Sequence, residues 1–218
     1  IESYEEAEAF KGAPDTKYCM VSQTTFNYNK FQDVVEIILK KGYDIIVLNN
    51  TKMKEMEHNG YQFEGAEGSF ELMVRKIIGK YRPFFKLCYY KTIGEKPRLD
   101  GHLCSFAQLK IEVDGQLAVT AGEGDGPVHA LDTALRSALE KFYPTVSSIR
   151  LTDYKVRVLD SKSATGAKVR VLIETTDGSD IWTTVGVSTD IIEASWIALV
   201  DSFEFKLISL RSSLKESK

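Results

Sequence analysis

A glycine-rich segment, Gly122-Glu-Gly-Asp-Gly126, lies between a predicted strand and a predicted helix. Such a segment is a candidate anion site, because backbone N–H groups at the start of a helix are free to donate hydrogen bonds. A phosphate-binding loop would carry Lys-Ser or Lys-Thr directly after its glycines, and this segment lacks that pair. It also follows an antiparallel strand. A nucleotide site is therefore disfavoured, while a bare turn and a site for a smaller ligand both stay open.

Residues that could bind a metal or act as nucleophiles are few and scattered. None of the three cysteines or three histidines has a partner at ligand spacing, the six being Cys19, Cys88, Cys104, His58, His102 and His129. The sequence therefore predicts neither a metal nor a cofactor in this chain. An odd, scattered set of cysteines is typical of reduced thiols, which predicts a cytoplasmic protein.

Composition excludes several other classes of partner. The chain of 218 residues is 43% hydrophobic and 27% charged, as is usual for a globular protein. Its formal charge of −3 shows no basic excess, so no nucleic acid is expected as a partner. The longest apolar stretch, near residues 43–48, is too short to span a bilayer, so no membrane is expected either.

The second half of the chain contains an internal repeat at a shift of 64 positions. Identities in one register over so long a stretch favour duplication over chance. The matched pairs are Leu87/Leu151, Tyr90/Tyr154, Lys91/Lys155, Thr120/Thr184, Gly122/Gly186, Ala130/Ala194, Ala134/Ala198, Leu135/Leu199 and Glu140/Glu204.

Each copy of the repeat predicts three strands followed by a helix. First strands are expected at 84–93 and 149–159, and third strands at 116–121 and 181–187. The middle strands alternate apolar and polar residues with period two, which indicates antiparallel sheets with one covered face. Asp114-Gly115 and Asp177-Gly178 predict hairpin turns. Apolar residues at helical spacing predict the closing helices, whose stripes are Val128, Leu131, Leu135 and Leu139 in one copy and Ile192, Trp196, Leu199 and Phe203 in the other.

The predicted fold class is α+β, with two pseudo-repeated βββα units over residues 83–218. A small helical subdomain is expected at 51–82. Residues 1–50 form a separate head of βαβ pattern, with strands at 17–24 and 43–48 around a helix at 30–41. Ser188 and Thr189 are candidate caps for the last helix.

From about residue 52 onward the chain resembles the end of citramalate and isopropylmalate synthases, acyltransferases that condense acetyl-CoA with a 2-oxo acid. The resemblance rests on LTDYKVRVLDSKSATGAKVRVLIETTDGSDIWTTVGVSTDIIEASWIALVDSFEFKL (151–207), on the glycine segment with Ala130-Leu131-Asp132, and on HNGYQFEGAEGSFELMVRK (58–76). DYKVRVLD, VGVS and EASW are more similar to the citramalate branch. The resemblance implies a regulatory region that forms a homodimer and binds a branched-chain amino acid, either isoleucine or leucine.

In that family the effector lies at the dimer interface, near the glycine loop and the first strands of the second repeat. Carried over, this points to an effector site formed by Gly124, Asp125, Gly126, Tyr154, Ala164, Thr165 and Ala167. The chemistry is compatible, because a helix start suits a carboxylate and an acidic residue such as Asp125 suits an ammonium group. Small residues such as Ala164 and Ala167 would leave room for a branched side chain.

The family's catalytic barrel carries an Arg-Asp-Gly segment and a His-x-His metal pair, and neither occurs in this sequence. These residues alone are therefore expected to be inactive as a synthase. A working acyltransferase whose barrel lies elsewhere in the assembly stays open as an alternative.

The head resembles a fragment of hydroxymethylbutenyl diphosphate reductase at Ser22-Gln23-Thr24-Thr25, a turn that helps bind diphosphate in that family. The cluster-ligating cysteine expected after the next strand is absent, so no iron–sulfur cluster is predicted. Two interpretations of the head stay open: a junction between unrelated genes, or a relic of the reductase that still binds diphosphate.

Overall fold

The computed structural model describes residues 1, 3–13, 17–20, 28–47, 51–77, 79–95, 104–159 and 166–216. They form two compact units, Ile1–Asn59 with Ile77–Gly79, and Gly60–Lys76 with Lys80–Lys218. Within the described ranges, no helix is both long and apolar enough to cross a membrane.

The first unit contains the predicted βαβ head with a short helix before it and another after it. Its elements are α1 (Tyr4–Ala9), β1 (Lys17–Met20), α2 (Tyr28–Lys40), β2 (Asp44–Val47) and α3 (Thr51–His58). β1 and β2 pair in parallel, as a crossover through α2 requires. Ala7, Val34 and Ile38 are buried between α1 and α2. The diphosphate-reductase turn at residues 22–25 lies outside the described residues.

The second unit begins with α4 (Glu67–Ile77) and continues into two three-stranded antiparallel sheets. The first sheet comprises β3 (Lys86–Glu95), β4 (Cys104–Val113) and β5 (Gln116–Gly124), and α5 (Pro127–Leu139) packs on its inner face. A 3-10 turn at Pro144–Ser148 leads into β6 (Arg150–Val158), β7 (Val169–Thr176) and β8 (Ile181–Ser188), on which α6 (Ile191–Glu216) packs. The predicted α+β fold of two βββα units is confirmed.

Both repeats make the same contacts at positions 64 residues apart. Thr120 Oγ1 donates to the carbonyl of Ala134 at 2.7 Å, and Thr184 Oγ1 donates to that of Ala198 at 2.8 Å. First-strand register shifts fall between Leu87 and Tyr89 in one copy and between Leu151 and Asp153 in the other. The duplication inferred from sequence identities is therefore present in the hydrogen bonding.

A glycine brings helix and sheet together in each repeat. A Cβ at Gly122 would overlap the carbonyl oxygen of Ala130, and a Cβ at Gly186 would overlap that of Ala194. No larger residue permits so close an approach. These two glycines set the distance between each helix and its last strand.

The two hairpins differ although both contain Asp-Gly. Asp114 and Gly115 form a two-residue turn with φ of 47° and 79°. The second hairpin uses four residues, and the Asp177 carboxylate accepts from the backbone N–H groups of Ser179 and Asp180 at 3.0 and 2.9 Å. Lys206 of α6 pairs with the same carboxylate, and together these donors hold the pKa of Asp177 well below its usual range against the opposing effect of burial.

The predicted caps of α6 are corrected in one respect. Asp190, rather than Ser188 or Thr189, accepts from the first-turn N–H groups, with Oδ1 2.6 Å from the nitrogen of Ile192 and 3.2 Å from that of Glu193. Ser188 Oγ instead accepts from the backbone of Asp190 at 3.1 Å. Aspartate one position closer to the helix is better placed to reach these donors.

The outer edge of β8 is covered by the start of α4. Ser69 Oγ accepts from the backbone N–H of Val185 at 2.9 Å, and Glu67 Oε1 accepts from that of Thr183 at 3.0 Å. Ser69 also donates to Asp201 of α6 at 2.8 Å, and Lys76 reaches the same carboxylate at 3.3 Å. The predicted helical stretch before the repeats thus seals one margin of the second sheet.

Candidate functional site

The helix α5 begins without a side-chain cap. Its N-cap residue is Gly126, in extended conformation at φ −150° and ψ 169°, and Pro127 follows in the first turn. Proline has no N–H, so the donors of this turn come from the residues after it. Since no acidic side chain lies in the first turn, these donors and the positive end of the helix dipole are available to an anion.

A pocket of about 550 Å³ lies beside this helix start. Side chains from one face of α5 form one wall, and the 3-10 turn and the start of β6 form the other. Apolar and polar groups both contribute to the lining, which is made by Val128, His129, Asp132, Arg136, Ser147, Ile149, Arg150, Leu151 and Tyr154. The pocket therefore lies between the helix of the first repeat and the first strand of the second.

Arg136 holds the two walls together. Its Nη2 nitrogen lies 3.1 and 3.2 Å from the two carboxylate oxygens of Asp132, one turn earlier on α5. Its Nη1 nitrogen donates to the carbonyls of Val146 and Ile149 across the pocket. Because both side chains of the pair are about four-fifths buried, the charges are poorly screened and the geometry is fixed. Asp132 keeps lone pairs that can accept a further donor.

Tyr154 is oriented by α6. Its hydroxyl lies 2.8 Å from Ser195 Oγ, which itself donates to the carbonyl of Ile191 at 2.6 Å. The serine proton is therefore committed, and the tyrosine hydroxyl donates to the serine oxygen. One face of the phenol ring is left to the pocket, and the residue is 39% exposed.

His129 forms a hydrogen bond with the loop that precedes α5. The backbone N–H of Asp125 donates to Nδ1 of His129 at 3.3 Å, so that nitrogen carries no proton in this arrangement. Gly124 lies directly beneath the imidazole, where a Cβ would come within 2.7 Å of Cγ. The side chain of His129 is exposed.

The proposed site residues are partly brought together. Gly124, Asp125 and Gly126 form the turn into α5 and do not themselves line the pocket, whose first lining residue on α5 is Val128, whereas Tyr154 does line it. Ala167 is buried before β7 and does not line this pocket. Ala164 and Thr165 lie outside the described residues.

The polar side chains of the pocket, Asp132 and Arg136, were not among those proposed. A signal was present, because an acidic and a basic residue four apart on an otherwise apolar helix lie on one face. Such a pair is ordinarily exposed, whereas here the 3-10 turn before β6 and Phe203 of α6 cover Arg136.

The two βββα units are pseudo-symmetric, and a pocket lined by both apolar and polar side chains lies between them. The model of the LeuA allosteric (dimerisation) domain matches residues 64–207, and the chain belongs to that family. The predicted relation to the regulatory region of citramalate and isopropylmalate synthases is thereby confirmed.

Individual proteins that are similar to this chain are consistent with this family. The chain is 51% identical over 155 residues to (R)-citramalate synthase of Geobacter sulfurreducens, covering 71% of this chain and 29% of that protein. It is 48% identical over 157 residues to (R)-citramalate synthase of Aquifex aeolicus, covering 72% and 30%. Identity to 2-isopropylmalate synthase of Clostridium kluyveri is 28% over 173 residues, covering 77% and 31%. The chain spans less than a third of the length of these curated relatives.

Proposed function

We propose that this chain is the regulatory region of a citramalate synthase and that the pocket between α5 and β6 binds isoleucine as a feedback inhibitor. The observation that carries the proposal is the coincidence of an uncapped helix start, a buried carboxylate and an apolar wall in one pocket of a family of allosteric domains. Its volume lies within the range of about 300–1,000 Å³ typical of small-molecule sites.

Each part of an amino acid has a partner of suitable chemistry. The carboxylate is placed at the start of α5, where backbone N–H groups and the helix dipole favour a negative charge. The ammonium group is placed at Asp132, whose oxygens are fixed by Arg136 but not exhausted by it. The branched side chain is placed against Val128, Ile149 and Leu151. This assigns the ammonium to Asp132 instead of Asp125, which faces solvent.

Isoleucine is preferred over leucine because five (R)-citramalate synthases are 42–51% identical to this chain, whereas the 2-isopropylmalate synthase is 28% identical. The two amino acids differ only in the position of one methyl group. A hydrophobic pocket discriminates such differences by about 1–3 kcal/mol, so both are expected to bind with different affinity. Leucine binding more tightly than isoleucine would move the assignment to the isopropylmalate branch.

The region is also proposed to form a homodimer beside this pocket. On β6, Tyr154, Val156 and Val158 alternate on the face that carries α6 over β7 and β8, yet they are 39%, 40% and 54% exposed. A strip of exposed apolar residues along a strand is typical of a surface that another chain covers. Because Tyr154 belongs to both the strip and the pocket, a second copy docked there would border the effector.

A thermal shift series tests the effector. At 100 times its dissociation constant a ligand raises the free energy of unfolding by about 2.7 kcal/mol, which gives a shift of several degrees. We expect isoleucine to give the largest shift, followed by leucine, valine and norvaline, with glycine as the control that lacks a side chain. Equal shifts for glycine and isoleucine, or none for any of them, would exclude the site.

No acyltransferase activity is expected from these 218 residues by themselves, because the sequence lacks the family's Arg-Asp-Gly and His-x-His segments. Consumption of acetyl-CoA with pyruvate or 2-oxoisovalerate is the measurement. Turnover by the isolated chain would show that it contains an active site and would contradict this expectation.

A further inference from the structure

The duplication produces two equivalent clefts. The open pocket lies between α5 of the first repeat and β6 of the second. Shifting α5 forward by 64 positions gives α6, and shifting β6 back by 64 positions gives β3. The same backward shift takes Tyr154 to Tyr90. Tyr90 pairs with Leu109 in its sheet just as Tyr154 pairs with Ile173, again 64 residues apart. A second cleft of the same construction therefore lies between β3 and the start of α6.

The second cleft is filled by an indole ring. Position 132 corresponds to position 196, so Trp196 stands where the open pocket has Asp132. The rings of Trp196 and Tyr90 lie 5.4 Å apart at their centroids, and Trp196 is only 6% exposed. An aspartate side chain is far smaller than an indole, and the space it leaves in the first cleft remains open.

The N-cap residues of the two helices also differ, and this difference again favours ligand binding in the first cleft only. At the open pocket the N-cap is Gly126, which has no side chain to satisfy the first-turn donors. Its counterpart at position 190 is an aspartate, whose carboxylate takes the N–H groups of Ile192 and Glu193. A ligand carboxylate entering the second cleft would meet occupied donors and a negative charge. Volume and hydrogen bonding thus close one cleft and open the other.

We infer that the cleft between β3 and α6 is a closed copy of the amino-acid pocket, blocked by Trp196 and Asp190, and that Asp132 and Gly126 keep the other copy open. The inference rests on the proposed function for the identity of the ligand. It assigns one amino-acid site to each chain despite two copies of the unit. Residue 132 with its counterpart 196 is the determinant of which copy binds.

The counterparts of other pocket residues agree with a cleft that has become core. Arg136 corresponds to Val200, and the Asp132–Arg136 pair that ties α5 to the strand wall is replaced by apolar side chains. Tyr90 and Val200 pack against the main core of the second unit, which includes Trp196. In the open pocket between α5 and β6, the charged pair Asp132–Arg136 instead forms a polar part of the lining.

Calorimetric titration with isoleucine tests the inference on the whole chain. Wild type is expected to bind one isoleucine per chain. Asp132→Trp is expected to abolish measurable binding by filling the pocket. Asp132→Ala is the matched control, because it removes the same carboxylate while leaving the space, and it is expected to weaken binding by about 10-fold without abolishing it. Retained binding in a folded Asp132→Trp protein, or equal loss in both variants, would overturn the inference.

The reverse exchange opens the second cleft. In the double variant Asp190→Gly, Trp196→Asp the stoichiometry is expected to rise from one isoleucine per chain towards two. A folded double variant that still binds one would overturn the inference, with far-ultraviolet circular dichroism as the folding control. If this variant fails to fold, the Asp132→Trp comparison decides alone. Failure of wild type to bind isoleucine would instead exclude the proposed function, so the two failures are distinguishable.

Discussion

Substituting aspartate at Gly126 should stabilise the free protein and weaken its binding of isoleucine. Gly126 has the extended conformation of an ordinary N-cap residue, and a Cβ there would meet no atom within 4 Å. Nothing steric therefore opposes the change. The new carboxylate would accept from the first-turn N–H groups of α5, as Asp190 does for α6.

The two effects have opposite signs and different sizes. Replacing a glycine cap by aspartate gains only a few tenths of a kcal/mol from the cap, with about 0.3–1 kcal/mol more from the helix dipole. Hydrogen bonds from these donors to a charged ligand contribute about 1.5–3 kcal/mol, so their loss should weaken isoleucine binding by about 10-fold or more. Repulsion between the two carboxylates adds to that loss.

Urea unfolding without ligand and calorimetric titration with isoleucine measure the two effects on the same Gly126→Asp protein. Gly126→Ala is the matched control, because it adds a Cβ but no acceptor and should leave affinity close to wild type. Unchanged affinity in Gly126→Asp would refute the placement of the ligand carboxylate at the start of α5. Equal loss in both variants would attribute the effect to the backbone instead.

Two further predictions concern the core. Burial raises the pKa of Glu204 to about 7, against the opposing effect of the hydrogen bond that its Oε1 accepts from the backbone of Phe84 at 2.7 Å. Because folding favours the protonated carboxyl, about 3 kcal/mol of the free energy of unfolding should be lost as pH rises from about 4.5 to 7. Glu204→Gln should flatten this dependence in urea unfolding at pH 5 and pH 8, and an unaltered slope would contradict the assignment. Gly186→Ala should cost about 3 kcal/mol or more because its Cβ overlaps Ala194, whereas Gly166→Ala, with open space, should be neutral in the same assay.

Periodicity and internal identity were sufficient to predict the βββα duplication, since both depend on local spacing. The predicted stripes of the two helices are buried as expected at Leu131, Leu135, Leu199 and Phe203. The third strand of the first repeat extends beyond its predicted end because Gly122 and Gly124, which were predicted to lie in a loop, continue the β5 ladder opposite Ala107 and Ser105. Glycine there serves helix approach rather than a turn.

The pocket could be predicted only in part. Of the residues proposed from resemblance, Tyr154 lines the pocket, whereas Gly124, Asp125 and Gly126 precede its first lining residue on α5, Val128. Asp132 and Arg136 were missed because their burial comes from the chain crossing between the repeats, a contact that no local pattern encodes. The contrast between Asp132 and Trp196 was readable from the repeat alignment, yet it acquires meaning only when both are seen facing equivalent tyrosines.

The sealing of β8 by Glu67 and Ser69 limits how chains can join. Backbone groups that another polypeptide would need for strand addition are already engaged at that margin, so the second sheet can be extended only along β6. Pairing there between two identical molecules uses up the remaining free margin of the second sheet in each of them. Growth by this route terminates at a closed pair and does not propagate into a fibre.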